Sequence, residues 1–131
     1  MMLFARIVLG LTALMHAGFG VAYVISPVRM ARLSKFELTG PMAVTEMRAF
    51  YGGLELGWAA FLVICAVRPG WVIPGLVAVL CVYGGLIAAR VLGIVLDKSG
   101  QGLILQILAV ECVTAILAGV ALAVLLSRSP S

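Results

Sequence analysis

The sequence predicts an all-α integral membrane protein: a four-helix transmembrane bundle with a short amphipathic interfacial helix between helices one and two, forming a single domain over residues 1–131. Three observations predict it. Hydrophobic residues make up 64% of the chain, charged residues only 11%, and the mean hydropathy is +1.24, whereas a soluble domain carries roughly 25% charged residues. Four apolar runs are each long enough to cross a ~30 Å hydrocarbon core, which takes about 20 helical residues. The runs are continuous, without the period-2 alternation of a barrel strand, and lipid leaves helices as the alternative that satisfies the backbone internally.

The first run extends from about Leu3 to Ile25 and stops at Ser26-Pro27, because proline lacks the N–H and the room to continue a helix. Its apolar stretch is longer than the core of a signal peptide, about 7–15 residues, so a retained helix is expected. The connection from Pro27 to Pro41 places Arg29, Arg32 and Lys35 three residues apart, with Met30, Leu33 and Phe36 one position later. That spacing predicts a short amphipathic helix whose basic edge reaches for lipid phosphate. The second run, about Ala43 to Val67, follows Gly40-Pro41. Arg68-Pro69-Gly70 turns the chain into the third run, about Trp71 to Leu96. Trp71 suits an interfacial anchor, and Pro74 falls in the first turn, where a missing N–H does least harm. The loop from Asp97 to Gly102 is polar, and the fourth run is about Leu103 to Leu126.

Charge and cysteine usage narrow the function classes. A net charge of +4 without a basic cluster on a soluble domain argues against nucleic acid. It fits the cationic excess of cytoplasmic loops. Arg29, Arg32, Lys35 and Lys98 lie in the loops after helices one and three, against Arg6, Arg68 and Arg128 on the other side. The expected orientation therefore puts those two loops in the cytoplasm of a cell with the chain in its inner (plasma) membrane, and both termini outside. Cys65, Cys81 and Cys112 are scattered in apolar runs and read as small buried residues. Tyr-Gly-Gly-Leu occurs twice, at Tyr51 and Tyr83, in unlike flanks, which reads as coincidence.

The informative residues are ionisable ones inside the spans: His16, Glu46, Arg48, Glu55, Arg90, Asp97 and Glu111. A mid-bilayer charge costs roughly 2.5–3.5 kcal/mol by insertion scales, so such residues face the protein interior and pair. Counted inward at ~1.5 Å per residue from one side, Arg48 lies roughly 8 Å deep, Arg90 roughly 10, Glu111 roughly 12, His16 roughly 14 and Glu55 roughly 18. All fall in one half of the bilayer. Residues seven apart share a face, which gives stripes of Arg48 and Glu55, of Tyr83, Arg90 and Asp97, and of His16 and Tyr23. The expectation is one buried cluster of Arg48, Glu55, Arg90 and Glu111 bordered by His16, with Tyr51, Tyr83 and Asp97 beside it. The competing reading is an ion-pair network that only holds the helices together. Gly53-x-x-x-Gly57, and Gly85, Ala89 and Gly93, predict small-residue packing seams. By the same reading Leu62 faces lipid.

A lone histidine and the lack of a close carboxylate pair argue against a zinc or di-iron site. No nucleophile elbow, phosphate loop or dinucleotide fingerprint is present. No cofactor or metal is expected.

The segment Thr45-Glu46-Met47-Arg48-Ala49-Phe50-Tyr51-Gly52-Gly53-Leu54-Glu55-Leu56-Gly57, followed by Arg90 with Leu92 and Gly93, then Asp97 and Glu111, resembles domain-of-unknown-function family four-three-four-five. The resemblance covers most of the chain and implies a small bacterial four-helix membrane protein without assigning an activity. In architecture alone the layout is also similar to DoxX-like membrane proteins. The residues themselves favour a pocket for a lipid-like or amphipathic small molecule with an anionic head, held by Arg48 and Arg90, with Glu55, Glu111 and His16 setting charge and proton state. The alternatives are a non-catalytic accessory subunit of a larger membrane complex, a homodimer among them, or a small proton-coupled transporter. An enzyme acting on a lipid or quinone also fits, so the sequence leaves catalysis undecided.

Overall fold

The fold is that of a computed structural model, which describes residues 2–127; Arg128, counted above for orientation, lies outside them. All regular structure among the described residues is helical. Helix α1 spans Met2–Ile25, α2 Pro27–Leu33, α3 Pro41–Arg48, α4 Leu54–Val67, α5 Val72–Asp97 and α6 Leu103–Leu126. A π-helical turn, Ala49–Gly53, joins α3 to α4, and a 3₁₀ turn, Pro69–Trp71, leads into α5. Four helical stretches are long and apolar enough to cross a membrane: Met2–Ile25, Pro41–Val67, Pro69–Asp97 and Leu103–Leu126. Each agrees with its predicted run to within about two residues at either end.

The side chains are sorted as lipid requires. Large apolar residues line the exterior; Leu14 is 70% exposed, and Leu92, Val95, Leu96, Val113 and Ile116 are exposed too. The interior mixes small residues, Ala5, Ala13, Ala59, Ala118 and Ala121, with larger apolar ones such as Leu9, Leu62 and Leu76, and holds the polar side chains of Thr12, His16 and Glu111. In water such an exterior would be a continuous apolar patch. In lipid it costs nothing, and small interior residues let helix backbones approach.

The chain breaks follow local chemistry. Pro27 opens α2, and Ser26 donates its N–H to Ala22 at 2.9 Å, closing α1. Helix α2 ends in a Schellman motif. Phe36 donates to Ala31 at 2.8 Å and Lys35 to Arg32 at 3.1 Å, with Lys35 itself left-handed at φ 64°. Gly40, at φ 104°, makes the turn that sets Pro41 at the first position of α3.

The residues form two compact units. The first, Gly10–Ile64, holds most of α1 antiparallel to the α3–π–α4 span. Its closest approach is glycine on glycine. A Cβ on Gly20 would lie 3.0 Å from the Gly52 carbonyl oxygen and 2.7 Å from Leu56 Cγ; one on Gly52 would lie 2.6 Å from Val24 Cγ2. Tyr23, Ala31 and Met47 form a small core there, with Met30 and Leu38 packed on it. The expected Gly53–Gly57 seam is absent. Both glycines are exposed, and a Cβ at Gly57 would meet nothing within 4 Å. Leu62, expected to face lipid, is instead fully buried. The π turn is the physical reason for the first correction. It inserts one residue into the turn and re-aims the glycine pair, so Gly52 rather than Gly53 meets α1.

The second unit holds α5 and α6 together with the start of α1 up to Leu9 and the chain from Cys65 onward. Helices α5 and α6 form an antiparallel hairpin, with Arg90 opposite Glu111 and Gly119 opposite Leu80. Val72, Leu76, Val79 and Tyr83 make a buried stripe along α5 at helical spacing. Here Gly75 is the close approach: a Cβ would lie 2.6 Å from Cys65 Cβ. Neither Gly85 nor Gly93 is a seam, since a Cβ at Gly85 would meet nothing and one at Gly93 only the side chain of Asp97 on the same helix.

Candidate functional site

Within Gly10–Ile64 the antiparallel pairing of α1 with the α3–π–α4 span stacks polar contacts in layers. His16 Nδ1 and Glu55 Oε2 are in direct contact as a short hydrogen-bonded pair. His16 is 8% exposed and Glu55 half-buried. Trp58, one turn beyond Glu55, sets its ring edge-on to His16 at 6.4 Å and 87° and stacks on Phe61 at 5.4 Å. Its indole N–H is buried without an acceptor among the described residues, a cost of about 1–3 kcal/mol. One layer along is the Gly20–Gly52 crossing. Beyond it, Arg48 Nε donates to the Val24 carbonyl at 3.2 Å. Val24 is in the last turn of α1, where carbonyls lack helical partners, so the guanidinium satisfies one of them and complements the dipole.

An aromatic and hydroxyl bracket fastens α2 to this end of α1. Tyr23 and Ser34 hydroxyls lie 2.9 Å apart. Tyr51, in the π turn, packs its ring on Tyr23 at 5.2 Å and on Phe36 at 5.8 Å. The elbow between α1 and α2 leaves an open groove of about 580 Å³, lined by Ile25, Ser26, Pro27, Val28, Arg29, Arg32, Leu33 and Arg48. Three of its eight lining residues are arginines and none is acidic. Among the described residues no carboxylate lies within 4.0 Å of Arg29, Arg32 or Arg48; the ion pairs are His16–Glu55 and Arg90–Glu111.

In the second unit Arg90 grips Glu111 with both edges of its fork: Nε to Oε2 at 2.8 Å and Nη2 to Oε1 at 2.6 Å. Glu111 is 6% exposed. Tyr83 is buried two turns before Arg90. Asp97 is exposed at the last position of α5. Thr114 returns its hydroxyl to the Val110 carbonyl at 2.9 Å, an ordinary way to satisfy a helical threonine in lipid.

The expected site residues thus fall into definite roles. The structure brings His16 to Glu55, Arg90 to Glu111, and Tyr51 to Tyr23. Arg48, expected inside a buried charge cluster, is exposed and bonds a backbone carbonyl instead of a carboxylate. Sequence reasoning missed three things: the π turn, Trp58, and the joining of Arg29 and Arg32 to Arg48 around one groove. Adjacent glycines at 52 and 53, both poor helix formers, were the available signal for the first. The break at Ser26-Pro27, which folds α2 back beside Arg48, was the signal for the last.

One comparison with known proteins bears on this arrangement. The family model described as Domain of unknown function (DUF4345) matches residues 4–122. The chain belongs to the DUF4345 family. The matched range takes in every residue of the groove, both ion pairs and the π turn. No curated protein and no solved structure matches the chain.

Proposed function

We propose that the chain is a multi-pass protein of a bacterial inner membrane that binds an amphipathic, lipid-like molecule by its anionic head. The elbow groove carries the reading. Arginine cannot shed its proton, so three guanidinium groups around one open cavity repel each other until an anion joins them. The groove's other walls, Ile25, Val28 and Leu33, are apolar and exposed, which suits an attached hydrocarbon chain. Under the positive-inside reading the elbow lies at the cytoplasmic headgroup level. Arg90, expected to share the head with Arg48, is instead matched by Glu111. The head-binding set therefore becomes Arg29, Arg32 and Arg48.

Native mass spectrometry of the protein released from its own membrane tests this. A stoichiometric lipid adduct is expected, lost in the double variant Arg29→Gln/Arg32→Gln while folding is kept. A protein partner without an adduct would favour the accessory-subunit role. Labelling of Ser34→Cys, in a background free of the native cysteines, checks the orientation; reaction from outside intact cells would reverse it.

A further inference from the structure

We infer that the head recognised in the elbow groove is a phosphate monoester, an inference that rests on the anionic-amphiphile reading above. The first argument is charge. Arg29, Arg32 and Arg48 bring three fixed positive charges, and no lining residue is acidic. Arg32 also lines the adjoining cleft with Glu37, outside ion-pair distance; with that carboxylate counted, a singly charged head such as a carboxylate or phosphodiester still leaves one positive charge uncompensated. A phosphate monoester carries about −1.5 to −2 at pH 7 and offers three terminal oxygens.

The second argument is geometry. Arg48 spends Nε on the Val24 carbonyl at 3.2 Å, which fixes the plane of its guanidinium and leaves the two terminal nitrogens as donors. Arg29 and Arg32 are three residues apart on α2 and so share one side of that helix. The groove therefore has one pre-set guanidinium from α3 and two adjustable ones from α2, on both walls of one cavity. Guanidinium binds phosphate oxygens through paired, charge-assisted hydrogen bonds. Three such groups match three terminal oxygens, and an esterified diester has only two to offer.

The source of the monoester is either a diacyl phosphatidate in the bilayer or a soluble phosphate ester. The apolar wall favours the former, and the test separates them. The protein in detergent micelles is titrated with phosphatidate, with phosphatidylglycerol of the same acyl chains, and with inorganic phosphate, binding being read by native mass spectrometry. Phosphatidate should bind about tenfold tighter or more than phosphatidylglycerol. The preference should shrink at pH 5, below the second phosphate pKa of about 6. It should disappear in Arg29→Gln/Arg32→Gln, and a melting curve identifies any variant that fails to fold. Arg48→Lys, which keeps charge but loses the fork, should bind both lipids while narrowing the preference.

Displacement of phosphatidate by millimolar inorganic phosphate would assign the monoester site to a soluble ester, and resistance would assign it to the lipid. Equal binding of the two lipids, lost together in the double variant, would overturn the monoester inference and leave the anionic-amphiphile reading intact. Lipid binding indifferent to the arginine substitutions would overturn both.

Discussion

The two compact units each pair a carboxylate, Glu111 buried in one and Glu55 half-buried in the other, and they hold it differently. In the α5–α6 hairpin, Glu111 is gripped at both oxygens by Arg90, at 2.6 and 2.8 Å. In the Gly10–Ile64 unit, Glu55 meets His16, beside an indole N–H that has no acceptor among the described residues. An Arg–Glu fork has fixed charges and fixed geometry, so it behaves as a clamp. The His–Glu pair rests on a single contact to one carboxylate oxygen, and the Glu55 side chain is 30% exposed against 8% for Glu111, so it is the looser of the two. The same contrast extends outward from each pair. The unit with the clamp carries, earlier along α5, a plain buried stripe of Val72, Leu76, Val79 and Tyr83. The unit with the His16–Glu55 pair also carries the π turn, the aromatic bracket and three arginines with no carboxylate within 4.0 Å. Irregular backbone and unspent charge are thus gathered in the unit that carries the proposed head-binding groove.

The largest effect should come from breaking the clamp. Glu111→Leu leaves Arg90 without this carboxylate, and Arg90 cannot neutralise itself, so a loss of about 3–5 kcal/mol is expected. Arg90→Leu should cost about as much. The double variant should recover part of the loss, because the two are direct partners. Thermal unfolding in detergent measures all three, and full stability in Glu111→Leu would remove the clamp's energetic meaning.

Next is the glycine crossing of the Gly10–Ile64 unit. Gly52→Leu would drive a side chain into Val24, where even a Cβ lies 2.6 Å from Cγ2 and 3.2 Å from the backbone nitrogen. Overpacking of this kind costs about 1–3 kcal/mol. Gly53→Leu, one residue on, points into open space and should change little beyond its helix propensity. Equal losses in the two variants would mean that the π turn does not set the register of this seam.

The His16–Glu55 pair should be the more forgiving of the two ion pairs. His16→Leu removes a partner of Glu55, but the Glu55 side chain is 30% exposed and keeps part of its solvation. A loss of about 1–3 kcal/mol is expected, smaller than for Glu111→Leu. A loss as large as that of Glu111→Leu, in the same melting assay, would show that His16–Glu55 is a second clamp and would erase the contrast between the units.

The fold was almost wholly legible in the sequence, and the site only partly. Apolar run length and the Pro and Gly breaks located the four spans, because those signals are local and strong. The charges themselves were legible, but not their partners. Depth counting puts His16, Glu55, Arg90 and Glu111 in one half of the bilayer and joins them in one cluster, because depth alone does not choose among partners at similar levels, whereas the structure pairs His16 with Glu55 and Arg90 with Glu111. Depth counting also groups Arg48 with the buried charges, where the structure has it on an exposed elbow. The reason is that depth says nothing of rotation once a π turn shifts the helical phase between Arg48 and Glu55. The glycine seam failed for the same cause: a Gly-x-x-x-Gly pattern assumes 3.6 residues per turn through Gly53, and the π turn ends there. Arg29 and Arg32 read from the sequence as a basic edge of a short amphipathic helix. Their meeting with Arg48 depends on how α2 folds back after Pro27, a tertiary fact no single helix encodes.

The smallest expected effect concerns the cap that holds α2 in that folded-back position. Lys35 ends α2 in the left-handed region at φ 64°, a conformation that costs an L side chain roughly 1 kcal/mol and glycine almost nothing. Lys35→Gly relieves that strain but adds freedom to the unfolded chain, which offsets part of the gain. The net expected change is a stabilisation of less than about 1 kcal/mol, visible as a small rise in melting temperature. The lining residues of the elbow groove are unchanged by this substitution, since Lys35 is not among them. Anionic-lipid binding should therefore be retained in Lys35→Gly while it is lost in Arg29→Gln/Arg32→Gln. If Lys35→Gly lost the lipid as completely as the double variant, the groove would have to extend around the end of α2 to include the lysine. The basic edge of that helix would then act as one general electrostatic surface, with no difference in role between the three groove arginines and the exposed lysine.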